Sequence, residues 1–349
     1  MEYPLTMNFP SPVELPKDAI PSLNWGIAAP GEIASIFAAA VTSYGTQRIS
    51  AVASRSIERA EAFAKQYAIE NTFGSYEEMF QSETVDAVYI ANHIDGHLDL
   101  ADAALNAGKH VLVEKPLHYS SDRCRETLAM ARSKGLFMTE AMWTRYLPQS
   151  SVIRQILDSN EFGAPEGLLA SFAVDNRGID RLWQAGTGGI TYDMGIYPIA
   201  LAYEAFGKPS KVTASGRCTK DGLDEESLVR LEYPSGAIAT LVISGVATFP
   251  CQATISGQHK ALTLDHPFFV PTTLRLSDKE LYQTEESWSD GTDVNGHSGL
   301  YYQAEWFAYY VSQGLSESPV HTHEEIVANI EVAEEVCRQL GSHPSLAQG

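Results

Sequence analysis

The sequence has few cysteines, and their spacing argues against cysteine-based frameworks. The four are Cys124, Cys218, Cys251 and Cys337, and no two of them are separated by two residues. Neither a zinc site nor a disulfide scaffold is therefore predicted, and we expect no metal site of any kind. Sparse cysteine usage is typical of a reducing compartment, so we expect a cytoplasmic protein.

Positive charge and long apolar stretches are also scarce. Lysine and arginine number 24 against 44 aspartates and glutamates, which gives a formal net charge of -20. An acidic surface of this kind argues against nucleic-acid and anionic-membrane partners. No apolar run approaches the roughly 20 residues that a membrane-spanning helix needs. Residues 1–22 lack the basic and apolar parts of a secretory signal, so we assign them to an N-terminal extension.

What is present is a chain long enough to bury two cores, since 44% of its 349 residues are hydrophobic. In residues 23–145, apolar runs alternate with helical patterns, which predicts the α/β architecture of a dinucleotide-binding Rossmann domain. The predicted strands are 23–28, 48–53, 86–91, 110–113 and 136–139. The part 146–349 changes to period two, with strands at 168–174, 212–217, 228–233 and 238–244 and two late helices. It predicts an α+β substrate-binding domain with an open, mainly antiparallel sheet.

A small-residue turn follows the first predicted strand. It reads Ala29, Pro30, Gly31, Glu32, Ile33 and Ala34, and a helical pattern follows. This is the context of the G-x-G-x-x-G/A fingerprint, in which small residues let the backbone approach a pyrophosphate at a helix N-terminus. Alanine at the first glycine position makes the match imperfect, and an ordinary strand–helix turn is the alternative.

The end of the second predicted strand indicates which dinucleotide is bound. An acid that holds an NAD ribose hydroxyl is expected about 20 residues after the glycines, but this chain has Ser54, Arg55 and, one helical turn later, Arg59. A guanidinium pairs with a 2′-phosphate, whereas a carboxylate repels it. We therefore predict NADP, with NAD possible; a solvated helix face is the alternative reading of the two arginines.

Two further strand ends meet at the same edge of the sheet. Asn92 and His93 follow one strand, and His97 is expected near the next helix start, facing the cofactor crevice. Glu114, Lys115 and Pro116 follow the strand 110–113. Ligands of open α/β sheets bind outside the carboxyl ends of the strands. Lys115 is accordingly either a salt-bridged scaffold residue or a working group beside a ligand.

A glycine-rich segment in the second half carries another pair of polar residues. Gly186, Thr187, Gly188 and Gly189 precede a stretch with Asp193 and Tyr197, which share one face if the segment is helical. The alternatives are a helix-capping acid and a core aromatic residue. Arg181 binds either a cofactor phosphate or an acidic neighbour, and the sequence does not place His297 relative to a substrate.

Three strings together resemble the glucose–fructose oxidoreductase / inositol dehydrogenase / MocA (Gfo/Idh/MocA) family. They are Gly-Lys-His-Val-Leu-Val-Glu-Lys-Pro at 108–116, Glu-Ala-Met-Trp-Thr-Arg-Tyr-Leu-Pro at 140–148 and Asp-Met-Gly-Ile-Tyr-Pro at 193–198. The resemblance covers 23–340 and is strongest to the branch that holds dimeric dihydrodiol dehydrogenase and NADP-dependent D-xylose dehydrogenase. Two departures stand out: Ala29 replaces a fingerprint glycine, and Ile94 replaces a common asparagine.

The resemblance implies roles for individual residues. Lys115 is implied to be catalytic, Asp193 the substrate-side acid and Tyr197 the proton donor. Trp143 and Arg145 match a segment that lines the cofactor, and Lys115–Pro116 matches a peptide bond that is often cis. A phenol is a poor base near neutral pH, but a neighbouring ammonium favours the phenolate. We therefore expect Lys115 to polarise the substrate oxygen and Tyr197 to move the proton.

The predicted function is hydride transfer between NADP(H) and a secondary hydroxyl or carbonyl of a sugar or cyclic polyol. A nucleotide-binding redox sensor without turnover, and an NAD-dependent glycoside-cleaving enzyme of the same superfold, are the alternatives. We expect a homodimer or homotetramer that assembles through the C-terminal sheet. The sequence does not specify the substrate or the physiological direction.

Overall fold

The computed structural model describes residues 8–184, 189–280 and 285–343. They form two compact units, neither of them continuous in sequence. The first consists of Leu15–Tyr146 and Val294–Ile330, and the second of 8–14, Leu147–Asp293 and 331–343. The sequence predicts a single domain for 146–349, whereas the structure groups Val294–Ile330 with the nucleotide-binding half. Residues 1–7 of the extension, Gly186, Thr187 and Gly188 lie outside the described residues.

The first unit is built on a six-stranded parallel sheet. Its elements up to Tyr146 are β1 Asn24–Ala28, α1 Glu32–Tyr44, β2 Arg48–Ala53, α2 Ile57–Tyr67, β3 Asn71–Phe73, α3 Tyr76–Gln81, β4 Ala87–Ile90, α4 His97–Asn106, β5 His110–Val113, α5 Ser121–Ser133 and β6 Met138–Glu140. The strand order is β3-β2-β1-β4-β5-β6. The order reverses between β1 and β4, and in sheets of this kind the dinucleotide binds at that point. This confirms the predicted Rossmann domain.

The second unit is built on an eight-stranded sheet. Its elements are α6 Pro148–Leu157, β7 Pro165–Ala173, a π-helical turn Thr191–Gly195, α7 Ile196–Phe206, β8 Lys211–Cys218, β9 Asp224–Glu232, β10 Ile238–Ser244, β11 Ala253–Gly257, β12 Ala261–Leu264, β13 Leu274–Ser277 and β14 Glu285–Trp288. The order is β14-β13-β12-β11-β7-β10-β9-β8. The ladder between β7 and β10 is parallel, and the other ladders of the described strands are antiparallel. The prediction of a mainly antiparallel sheet is confirmed.

Two helices follow the second sheet in the chain. α8 Leu300–Ser312 belongs to the first unit, and α9 His323–Leu340 begins there. α8 completes the core of the first unit, because Phe307 packs against Trp25 of β1 with ring centroids 4.7 Å apart. Among the described residues, no helix combines the length and the apolar character needed to cross a lipid bilayer.

The two faces of the second sheet differ. On one face the π-helical turn before α7 packs closely on β10, since a Cβ added at Gly195 would lie 2.7 Å from the Cδ1 of Ile243. On the other face Leu169 of β7 is 61% exposed and Leu228 of β9 is 50% exposed. Alternate residues of a strand point to opposite faces, so one buried and one open face follow from the alternation in the sequence.

Candidate functional site

The turn between β1 and α1 has the geometry that the fingerprint requires. Ala29 has a φ of +69°, so it adopts the left-handed conformation that glycine takes at low cost. A Cβ added at Gly31 would meet no atom within 4 Å, and no side chain caps the N-terminus of α1. Backbone N–H groups at an uncapped helix start attract anions. Ala29 therefore takes the backbone conformation that is open to a glycine at the first fingerprint position.

The two predicted arginines lie on the neighbouring strand–helix connection. Ser54 is buried, and Ser56 caps α2 by accepting the N–H of Arg59. Arg59 reaches back to the β1–α1 turn, where its Nη2 donates to the carbonyl of Pro30 at 3.4 Å. Arg55 is exposed, and no carboxylate of the described residues pairs with it. Arg55 thus follows the end of β2, where a ribose phosphate is expected, and Arg59 contacts the neighbouring β1–α1 turn.

The connection after β4 contains a buried acceptor. Asn92 Oδ1 has no hydrogen-bond partner among the described residues, although it is buried. Its amide nitrogen lies so close to the backbone of Gly96 that a Cβ there would be 2.4 Å away. His93 is exposed, and Ile94 is 8% exposed. An unsatisfied buried oxygen at this edge suits a ligand that brings a donor, and with the open α1 turn it fits a dinucleotide.

His97 does not face a crevice as expected. Its side chain is 1% exposed; Nδ1 lies 3.0 Å from the carbonyl of Pro116, and Nε2 lies 3.0 Å from that of Asn92. Burial lowers the pKa of His97 to about 4, so the imidazole is neutral. The ring joins the end of β4 to the segment after β5, a structural contact that the sequence pattern could not reveal.

The backbone around Lys115 is held by buried side chains on three sides. Glu114 Oε2 accepts the N–H of Lys115 at 3.1 Å, and His97 bonds the carbonyl of Pro116. Glu140 Oε1 accepts the N–H of Leu117 at 2.7 Å. The Lys115–Pro116 peptide is cis, in agreement with the implied family feature. Lys115 itself is half-buried at the carboxyl end of β5.

Glu114 is a second titratable group at this strand end. It is 7% exposed and accepts a short hydrogen bond from the hydroxyl of Tyr89. Burial raises the pKa of Glu114 to about 7, although the Tyr89 hydroxyl and the Lys115 ammonium counteract this effect. The carboxyl beside Lys115 therefore changes its charge near neutral pH.

Arg145 is engaged in a buried ion pair, which differs from its implied place along the cofactor. Its Nε lies 3.0 Å from Glu325 Oε1, and both side chains are at most 6% exposed. The neighbouring residue Trp143 contacts His297, with ring centroids 5.4 Å apart. Burial, and then the charge of Lys115, lowers the pKa of His297. His297 is thus a neutral ring in the same unit as Lys115, a location that the sequence left open.

In the second unit, Asp193 and Tyr197 belong to one helical segment, as the spacing suggested. Asp193 lies in the π-helical turn, and Tyr197 is the second residue of α7. Single π-helical turns occur frequently at functional sites. Arg181 Nη1 lies 3.3 Å from Asp193 Oδ1, so the acidic neighbour of Arg181 is this carboxylate.

Tyr197 has an aromatic environment. Its ring centroid lies 5.7 Å from Phe172 and 5.3 Å from Phe269, and those two rings stack at 4.4 Å. Tyr197 is 7% exposed. The phenol is therefore the polar end of an otherwise apolar cluster in this unit.

A buried carboxylate fixes the start of the segment that carries Asp193 and Tyr197. Asp224 is fully buried, and its Oδ2 accepts the N–H of Thr191 at 2.7 Å. Its Oδ1 accepts the hydroxyl of Ser342 at 2.9 Å. A Cβ at Gly189 would lie 2.3 Å from Asp224 Oδ1, and Gly189 has a φ of +61°. Glycine is required at this position for both reasons.

Sequence reasoning missed several of these residues. Glu325 and Phe269 contact the candidate residues Arg145 and Tyr197 directly. Glu140, Asp224 and His321 act one contact further away, through Leu117, Thr191 and Glu140. Glu140 belongs to the string 140–148, but the other four residues belong to no recognisable motif. His321 and Glu140 meet across 181 positions of the chain. A lone acid or histidine at such a separation carries no spacing signal, so only a burial pattern could have suggested them.

The fold and these strand ends together define a nucleotide-binding oxidoreductase of two units. Residues 23–141 match the family described as oxidoreductase family, NAD-binding Rossmann fold, and residues 151–263 match the GFO/IDH/MocA C-terminal domain. The chain belongs to the Gfo/Idh/MocA oxidoreductase family.

The curated relatives agree with this assignment. Trans-1,2-dihydrobenzene-1,2-diol dehydrogenase of Mus musculus is 33% identical over 327 residues, covering 92% of this chain and 97% of the relative. The Homo sapiens enzyme of the same name is 31% identical over 328 residues, with the same coverage of 92% and 97%.

Solved structures show the same fold at lower identity. The 3-ketoreductase KijD10 from Actinomadura kijaniata, in complex with NADP, has a TM-score of 0.74 and 23% identity, with 90% of this chain and 97% of that chain covered. Levoglucosan dehydrogenase, in complex with NADH and levoglucosan, has a TM-score of 0.80 and 16% identity, with 92% and 97% covered.

Proposed function

We propose that this protein is an NADP-dependent dehydrogenase or reductase that acts on a secondary hydroxyl or carbonyl of a sugar or cyclic diol. The observation behind the proposal is the fixation of Lys115, whose flanking backbone is hydrogen-bonded to Glu114, His97 and Glu140. Catalytic groups need such preorganisation, because a displacement of about 1 Å costs on the order of 100-fold in rate.

The dinucleotide is held by the first unit in this proposal. The backbone from Ala29 to Ile33 would bind the pyrophosphate, with Glu32 in the first turn of α1 contributing its N–H. Ser54, Arg55 and Arg59 would bind the 2′-phosphate of NADP, and Asn92, His93 and Trp143 would border the nicotinamide half. NAD remains a weaker ligand, since the guanidinium groups then lack a phosphate partner.

In this proposal, residues from both halves of the chain take part in the reaction. When bound, the nicotinamide supplies the hydride acceptor or donor. Lys115 is proposed to polarise the substrate oxygen and Tyr197 to move the hydroxyl proton, as general acid or base. Asp193, already paired with Arg181 at 3.3 Å, would accept a hydrogen bond from a neighbouring substrate hydroxyl and thereby orient a diol.

The rings beside Tyr197 favour a cyclic substrate. Phe172 and Phe269 stack at 4.4 Å and flank the phenol, so a ligand ring with an apolar face suits them. The curated relatives are named for a cyclic diol. A cyclic diol or a pyranose offers both the apolar face and adjacent hydroxyls.

The experiment is a screen of cyclic diols, aldoses and inositols with NADP+ and NAD+, followed at 340 nm. We expect turnover with at least one cyclic diol or sugar and a preference for NADP+. Tyr197→Phe should then lower kcat by about 100- to 10,000-fold while the Kd for NADPH changes little. Unchanged turnover in Tyr197→Phe refutes its role, and no absorbance change with any member of the panel favours a nucleotide sensor.

We also propose that the chain assembles as a homodimer or homotetramer through the open face of the second sheet. The support is the exposure of Leu169 and Leu228 on that face, at 61% and 50%. Apolar side chains in the middle of a sheet are a common mark of an interaction surface. A symmetric partner would cover the same patch on both subunits.

A further inference from the structure

Four buried side chains form a charged chain in the first unit. His321 Nε2 lies 2.9 Å from Glu140 Oε2, and His321 Nδ1 lies 3.1 Å from Glu325 Oε1. Glu325 in turn pairs with Arg145, at 3.0 Å from Nε and 3.1 Å from Nη2. At the other end, Glu140 Oε1 accepts the N–H of Leu117 at 2.7 Å. These successive contacts therefore connect the side chain of Arg145 to the backbone of Leu117, two residues after Lys115.

Each charge in this chain has a partner of opposite sign. Glu140, His321, Glu325 and Arg145 are each at most 5% exposed. Burial alone lowers the pKa of His321, but Glu325 and Glu140 outweigh it and raise the pKa to about 9. An imidazolium carries an N–H on each ring nitrogen: Nε2 donates to Glu140, and Nδ1 lies at ion-pair distance from Glu325. With His321 protonated, two acids face two cations and the group is neutral overall.

A gain in stability is not the expected role of this group. Buried ion pairs are often no more stabilising than apolar residues of similar volume. The charged chain orients the carboxylate of Glu140. One oxygen accepts the N–H of Leu117, and the other is bonded to His321. Glu140 is fully buried at the end of β6, so both of its carboxylate oxygens need partners inside the unit.

We infer that His321, Glu325 and Arg145 are positioning residues for Lys115, which they hold in place through Glu140 and the backbone of Leu117. This inference rests on the proposed role of Lys115 in the reaction. None of the three residues touches the reacting atoms in this scheme. Loss of His321 would leave Glu140 with one partner, and the segment after β5 would become free to shift.

The test compares His321→Gln with His323→Gln. His323 is a matched control because it is 4% exposed, lies two positions away and contacts the backbone of the same strand, with Nε2 2.9 Å from the carbonyl of Met138. Its replacement also removes a buried imidazole next to β6 but leaves Glu140 and Leu117 untouched, so stability is measured for both variants by urea unfolding. If His321→Gln does not fold, Glu325→Gln replaces it in the comparison.

Two readouts separate positioning from stability. The first is the split between kcat and KM together with the Kd for NADPH; we expect His321→Gln to lower kcat by about 10- to 100-fold with little change in Kd. The second is the rate at which acetic anhydride labels the Lys115 amine, quantified by peptide mass spectrometry. This rate should change severalfold in His321→Gln and stay near the wild-type value in His323→Gln.

The results that support the positioning role of His321 differ from those that overturn it. Wild-type kcat and labelling in a folded His321→Gln variant would overturn the inference, and so would equal losses in the two variants. Glu140→Gln, which keeps an oxygen for Leu117, should retain more activity than Glu140→Ala. If the wild-type protein turns over no substrate, the proposed function fails, but the labelling comparison still decides whether His321 positions Lys115.

Discussion

Arg55 is the residue from which nucleotide preference is best tested. It is exposed at the end of β2, and no carboxylate in the described part of the chain neutralises it. A charge-assisted hydrogen bond contributes about 1.5–3 kcal/mol. Arg55→Ala should therefore raise KM for NADP+ by roughly 10- to 100-fold and leave KM for NAD+ nearly unchanged, as measured by steady-state kinetics at 340 nm.

Arg48→Ala is the control for this change. Arg48 is the first residue of the same strand, at its opposite end, and is paired with Glu70 at 2.6 Å. Both variants lose one positive charge, so a general electrostatic effect would appear in both. An equal rise in KM for the two cofactors in Arg55→Ala, or an equal effect of Arg48→Ala, would contradict phosphate binding by Arg55.

Single residues also mark the limit of what the sequence predicts. Lys115 and Tyr197 are predicted as site residues from their strings, because each string combines unusual neighbours at a defined strand or helix end. His97 and Arg145 are interpreted differently once their burial is known. The sequence alone does not show whether a histidine or an arginine at a strand end faces a ligand or a backbone carbonyl.

At the level of elements, the glycine before the π-helical turn offers a sharp test. Gly189→Ala would add a Cβ 2.3 Å from Asp224 Oδ1 and would also force alanine to a φ of +61°. Left-handed backbone costs about 1–2 kcal/mol, and overpacking typically adds about 1–3 kcal/mol. We expect the free energy of unfolding in urea to fall by at least about 2 kcal/mol, and kcat to fall because Asp193 and Tyr197 are displaced.

Gly236→Ala separates the cost of the left-handed backbone from the cost of the close contact with Asp224. Gly236 also has a positive φ, +88°, but a Cβ there meets no atom within 4 Å. This variant should lose only the backbone contribution, about 1–2 kcal/mol, with normal kcat. Equal destabilisation by the two substitutions would mean that Asp224 yields easily and does not fix the start of the segment.

Regular elements with strong periodicity could be predicted, and some of the short ones could not. The alternation in 238–244 gives β10 with its observed bounds, Ile238–Ser244. β3 has three residues and α3 has six, too few to show a period, and both were missed. The parallel pairing of β7 with β10 was also not predictable, because alternation defines the faces of a strand but not its neighbour.

For the whole molecule, the order of residues along the chain does not show which residues belong to each compact unit. Residues 294–330 follow the second sheet in sequence but belong to the first unit. Phe307 packs on Trp25, and Glu305 accepts the N–H of Thr46 at 2.6 Å. These contacts join positions more than 250 residues apart, at which local patterns give no information.

Assembly through the open face of the second sheet can be tested by substitutions on that face. Leu169 pairs with Thr240, and Leu228 pairs with Val242, so both leucines project from the same face as these alternate residues of β10. Burying a leucine contributes about 1.5–3 kcal/mol. Replacing both with glutamate should weaken subunit association by more than about 100-fold and convert the oligomer to monomers in light scattering after size-exclusion chromatography.

Leu315→Glu serves as the control, because Leu315 is 39% exposed but belongs to the first unit and not to the second sheet. The glutamates of the double variant face outward, so circular dichroism should show an intact fold. A wild-type chain that is monomeric at micromolar concentration, or a double variant that keeps its oligomeric state, would contradict assembly through this face. If monomers retain the wild-type kcat, the reaction needs no residue from a second subunit, and the contact serves stability alone.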